Sequence, residues 1–126
     1  MAEYDDDLSL KECFLLQEEF MEILRDNDKI PEWPVDLRTK PGQRMVKEIV
    51  FNMIEELAEA SFTLKNRMHR LSDDREFDFS HYKEELGDAF AYFLEVCIMS
   101  GISAEDLFDE YVRKNKIVRD RVRSGY

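Results

Sequence analysis

Cysteine is scarce. Cys13 and Cys97 are the only two, they form no C-x-x-C, and no Cys/His cluster exists. That excludes a disulfide framework and a thiolate metal site, and leaves two buried thiols in a reducing compartment as the expectation. No apolar run reaches the roughly 18 residues that a membrane span needs. The opening MAEYDDD is acidic and has no apolar stretch, so no secretory signal is expected. Strand-like alternation is missing over any useful length. Basic residues are the minority, 18 against 29 acids, for a net charge of −11. This argues against sequence-independent binding to nucleic acid or to an anionic membrane. A cytoplasmic protein is expected. Its acidity still permits a phosphate ligand, provided that metal ions bridge the two negative partners.

What is present reads as helix. The chain of 126 residues is 44% hydrophobic, which suits a single domain over residues 1–126. Ser9-Leu10-Lys11-Glu12 fits a capping box. Leu10, Cys13, Phe14, Met21 and Leu24 then share one helical stripe, predicting a helix to about Asp26. Residues 27–40, with Pro31, Trp33 and Pro34, show no period and suit an ordered loop. Pro41 suits a first helical turn. Beyond it the pairs 45/46, 49/50, 53/54 and 57/58 are apolar at four-residue spacing, which predicts a helix to about Arg70. Residues 71–79 are polar. Ser80 is placed to cap a third helix carrying Leu86, Ala89, Phe90, Phe93, Leu94, Cys97 and Ile98, ended by Gly101. Ser103 and Asp106 form another capping box and open a fourth helix to about Val122. An all-α bundle of four to five helices is expected.

Two acidic motifs interrupt the apolar stretches: EELAE at 55–59 and EELGD at 84–88. At about 100° per residue, Glu56 lies roughly −100° and Glu59 roughly −160° from Leu57. Glu85 and Asp88 hold the same phases relative to Leu86. If the two apolar faces pack together, Glu56 and Glu59 converge with Glu85 and Asp88 on one cleft, with the small Ala58 and Gly87 permitting close approach. Four facing carboxylates repel and raise one another's pKa values, and a divalent cation relieves this. An all-oxygen set points to Mg²⁺ or Mn²⁺, and the usual Ca²⁺ loops are absent. A ferritin-like di-iron site wants Glu-x-x-His on two helices, and neither His69 nor His81 follows a Glu by three. The plainer alternative is a solvated flank of two amphipathic helices.

The tail differs in charge. From Arg113 to Arg123 there are six basic residues and one acid. Such a row either complements a helix C-terminus or clamps phosphates, with Lys114 and Arg121 two turns apart on one face. Gln17 sits inside the apolar stripe of the first helix. Its amide must find partners when buried, in a neighbouring element or on a nucleobase edge.

Taken together, these residues resemble the all-α nucleoside triphosphate pyrophosphohydrolases, the MazG-like superfamily. The carriers are Glu55-Glu56-Leu57-Ala58-Glu59 and Glu85-Leu86-Gly87-Asp88. The C-terminal segment looks like the dimeric all-α dUTPase branch, with Tyr111, Lys114-Asn115, Arg121 and Gly125-Tyr126 in matching spacing. Val118 stands where that branch has an Asn. The likeness spans roughly residues 9–126. It implies Mg²⁺, replaceable by Mn²⁺, on Glu56, Glu59, Glu85 and Asp88, with Glu55, Glu56 and Glu85 in the catalytic group and Glu55 able to orient a water. It further implies phosphate contacts from Lys114, Asn115, Arg121 and Tyr126, a base contact from Gln17, and at least a homodimer. The implied reaction is Mg²⁺-dependent hydrolysis of a nucleoside triphosphate, foremost dUTP, to the monophosphate and pyrophosphate. The branch suggests attack at the β-phosphorus.

Three departures bear on the base. Met21 occupies the neighbourhood of an expected Asn. Phe62 stands where the branch tends to carry an acid or amide shortly after E-x-x-E, and Arg67 is found where a Lys-x-Trp pair is usual, with no Trp there. A MazG-like enzyme for dCTP, dGTP or several nucleotides is therefore an alternative. So is a non-catalytic acidic helical protein that binds a basic partner.

Overall fold

The computed structural model describes residues 9–65, 68–69 and 76–125. Every regular element among them is helical: α1 (Leu10–Asp26), α2 (Lys40–Phe62), α3 (Phe79–Met99) and α4 (Ala104–Arg123). The all-α class expected from periodicity is the class observed. The described residues fall into two compact units, one within Met1–Val35 and Cys97–Tyr126, the other within Asp36–Val96.

In the first unit α1 packs against α4. Ser9 Oγ accepts the Glu12 amide at 3.2 Å, which is one half of the expected capping box. Phe14, Gln17 and Met21 form the buried stripe of α1, and Met21 is fully buried. Truncating such a side chain to Ala costs about 2–5 kcal/mol. The loop after α1 is ordered by Arg25. Its guanidinium pairs with Glu32 at 3.1 Å and lies 5.0 Å from the Trp33 ring centre. Val35 then donates to the Met99 carbonyl at 2.9 Å.

α3 ends where Gly101 adopts φ +77°. Ile102 N–H reaches back to the Cys97 carbonyl at 2.9 Å, the closure that a left-handed glycine permits. Ser103 and Asp106 make the full reciprocal box at the start of α4. Cys97 is buried and Cys13 only half-buried, both as free thiols. No single helix among the described residues is long and apolar enough to cross a membrane.

In the second unit Thr39 caps α2, its hydroxyl accepting the Gly42 amide at 3.1 Å. Gly42 is required by closeness: a Cβ there would lie 2.0 Å from the Asp36 carbonyl oxygen. α2 stops at Phe62, earlier than the expected Arg70. Thr63 turns its hydroxyl onto the Ala60 carbonyl at 2.7 Å, and Leu64 donates to Ser61. These tight closures take up carbonyls that a longer helix would have used. Ser80 lies inside α3 rather than at its cap. Asp78 takes that place, accepting the His81 amide on Oδ1 at 3.0 Å.

Candidate metal centre

Both acidic motifs lie in the second unit, EELAE on α2 and EELGD on α3. One carboxylate oxygen each from Glu56, Glu59 and Glu85 falls within 4.8 Å of the others. Glu56 and Glu59 are one turn apart on α2, so they share a face. Glu85 meets them from α3.

Asp88 is exposed and stands outside this triad, but its charge still acts on Glu56. Glu55 is exposed on α2 and its charge reaches Glu59. The leucines used as phase markers lie in the apolar stretches of α2 and α3 but are poorly covered. Leu57 is 45% exposed and Leu86 39%, whereas Glu85 is only 8% exposed. The expected close approach at Gly87 is not made among the described residues, since a Cβ there would meet none of their atoms within 4 Å.

Electrostatics follow from this crowding. Hydrogen bonding with Glu85, then burial, then the charges of Glu59, Glu85 and Asp88 push the Glu56 pKa up to about 7. Glu59 is raised, chiefly by hydrogen bonding to Glu85. Glu85 is lowered, first by Glu56, with help from Glu59 and His81. Burial, followed by the charges of Glu56, Glu95, Asp88 and Glu55, raises the Tyr92 phenol. Three carboxylates at this separation cannot all ionise cheaply.

A hard divalent cation fits the site on two observations. All the donors are carboxylate oxygens. Glu85 Oε2 is buried and has no hydrogen-bond partner among the described residues, so an acceptor there lacks a positive group.

Beside the triad is a cavity of about 300 Å³ lined by Glu59, Phe62, Thr63, Lys65, His81 and Glu85. Lys65 and His81 were not among the site residues expected from sequence. Lys65 lies in the irregular segment after α2, where periodicity carries no information. His81 could have been found, because it precedes Glu85 by four on one helix. Its Nε2 lies 3.0 Å from Glu85 Oε1.

The remaining expected site residues belong to the first unit. Gln17 is buried on α1. Lys114, Asn115 and Arg121 are exposed on α4, and Tyr126 lies outside the described residues.

A family model described as dUTPase matches residues 37–126. The match takes in both acidic motifs and the basic tail. No curated protein and no solved structure matches the chain.

Proposed function

The chain belongs to the all-α dUTPase family, a family of nucleotide diphosphatases, and from that premise we propose that its carboxylate cluster on α2 and α3 hydrolyses dUTP with Mg²⁺. The balance is dUTP plus water giving dUMP plus pyrophosphate. The observation that carries the reading is the convergence of Glu56, Glu59 and Glu85 within 4.8 Å, together with a buried Glu85 oxygen that has no hydrogen-bond partner among the described residues.

Glu56, Glu59, Glu85 and Asp88 would hold the metal, with Mn²⁺ able to replace Mg²⁺. Bound there, the ion would supply positive charge against the phosphate chain and lower the pKa of water. Glu55, exposed beside the cluster, orients the attacking water. Lys114, Asn115, Arg121 and Tyr126 hold the phosphates, and charge-assisted bonds of that kind fix both position and charge. Gln17 presents its amide to the base. It makes no side-chain hydrogen bond among the described residues, so the amide keeps its capacity for one.

Large apolar side chains remain exposed on the single chain: Phe51, Ile54 and Leu57 on α2, and Phe108, Val112 and Val122 on α4. Surfaces of this kind call for a cover. We place a second copy of the chain there, giving a cytoplasmic homodimer. Light scattering at micromolar concentration checks it.

A second reading keeps the chemistry and changes the base. Met21 occupies the neighbourhood where the dUTPase branch has an Asn, and it is fully buried, so it offers the base no polar contact. Pyrophosphate release over dUTP, dCTP, dTTP, dATP, dGTP and the ribonucleotides, with and without Mg²⁺, separates the two. Release that is Mg²⁺-dependent and strongest with dUTP supports the first. Stronger release with another base moves the specificity and keeps the site.

A further inference from the structure

The cluster contains one oxygen whose orientation has an identifiable cause. Glu85 has two carboxylate oxygens in different states. Oε1 is bonded to His81 Nε2 at 3.0 Å, and Oε2 is buried without a hydrogen-bond partner among the described residues. A carboxylate that faces Glu56 and Glu59 gains by turning away from them, because like charges at this range repel. Something must hold it in place.

We propose that His81 is the positioning residue of this site: by holding Oε1 it leaves Oε2 as the oxygen that Glu85 offers to a divalent cation. The inference rests on the metal reading of the cluster given above. Its parts are local. His81 and Glu85 are four apart on α3, so their side chains stack on one face. An ionised carboxylate can only accept, so Nε2 carries the proton and donates.

The imidazole is itself located. Asp78 Oδ1 accepts the His81 amide at 3.0 Å and so fixes the first turn of α3. The His81 ring lines the same cavity as Glu59 and Glu85, and its side chain is half-exposed. It therefore adds little to the packed interior, and its main partner is the ligand oxygen. A group that orients a ligating carboxylate typically alters metal affinity about 10–100-fold when it is removed.

Mn²⁺ titrated into the full chain and followed by electron paramagnetic resonance tests this, comparing wild type, His81→Ala and His81→Gln. The expected result is an Mn²⁺ dissociation constant about 10–100-fold weaker in His81→Ala, with most of the loss recovered in His81→Gln, whose amide N–H reaches the same oxygen. All three melt at similar temperatures without metal, and bound Mn²⁺ shows no nitrogen coupling.

Unchanged affinity in His81→Ala overturns the proposal. Equal loss in both variants does so too, because the hydrogen bond would then not be the cause. Nitrogen coupling to Mn²⁺ would make His81 a ligand instead. Wild type that binds no Mn²⁺ overturns the metal reading and this inference with it.

Discussion

A carboxylate oxygen of Glu56 on α2 and one of Glu85 on α3 lie within 4.8 Å of each other. Hydrogen bonding between them is the main reason that the Glu56 pKa rises from 4.5 to about 7, and the same contact lowers Glu85. Two helices distant in sequence are thus joined at a point that is unfavourable without a cation and favourable with one.

The raised Glu56 pKa makes metal-free stability pH-dependent. Between pH 4.5 and 7, native Glu56 keeps a proton that the unfolded chain has lost. Unfolding then releases it, so stability falls as pH rises through this window. Burial also raises Glu95, which adds a slope of the same sign. Glu56→Gln removes only the first contribution. In EDTA above pH 7 the variant is expected to melt a few degrees higher than wild type, although it is inactive. Thermal unfolding by circular dichroism between pH 5 and 8 checks this. A variant that melts at or below the wild type throughout would contradict it.

Metal binding should displace that same proton. With its pKa raised to about 7, Glu56 is expected to enter the binding step partly protonated near neutral pH, so cation uptake releases part of a proton from it. The release is expected to shrink as pH rises above 7. Titration calorimetry with Mn²⁺ in buffers of different ionisation enthalpy measures the number. A release that does not change with pH would mean that Glu56 is not in the metal's path.

The basic tail is expected to act on substrate rather than on metal. Charge-assisted hydrogen bonds contribute about 1.5–3 kcal/mol each. Lys114→Ala and Arg121→Ala are therefore expected to lower kcat/KM by about tenfold or more, with Mn²⁺ affinity unchanged. Steady-state kinetics beside a metal titration separates the two effects. Unchanged kinetics in both variants would reduce the tail to a solvated face.

Two glycines should respond in opposite ways. A methyl at Gly42 would meet the Asp36 carbonyl oxygen at 2.0 Å, whereas one at Gly87 meets nothing within 4 Å among the described residues. Gly42→Ala should cost about 1–3 kcal/mol through forced backbone movement. Gly87→Ala, inside a helix, should gain about 0.5–1 kcal/mol. Urea unfolding measures both. Loss at Gly87 would show that another surface closes on that face.

The features that were legible in the sequence are those set by rigid local geometry. Apolar pairs at four-residue spacing marked α2, and Ser103 with Asp106 marked the start of α4, because the helical period and cap chemistry barely depend on context. The same period placed Glu56, Glu59 and Glu85 on converging flanks. The end of α2 was not legible, since it depends on Thr63 turning its hydroxyl onto Ala60. Nor was the exposure of Leu57 and Leu86, because burial depends on what covers a face, and periodicity reports only the face. Lys65 enters the cavity through an irregular segment that has no period. Asp88 shares the phase rule with Glu59, yet it stays outside the triad, because phase gives direction around a helix and not distance to the partner.

The most direct test of the account is pyrophosphate release from dUTP by wild type and Glu85→Gln across a Mg²⁺ titration, with folding checked by circular dichroism. The account predicts saturable, Mg²⁺-dependent release by wild type, and a folded variant slower by a factor on the order of 100 or more that added Mg²⁺ does not rescue. A folded Glu85→Gln that releases pyrophosphate at near the wild-type rate would contradict it.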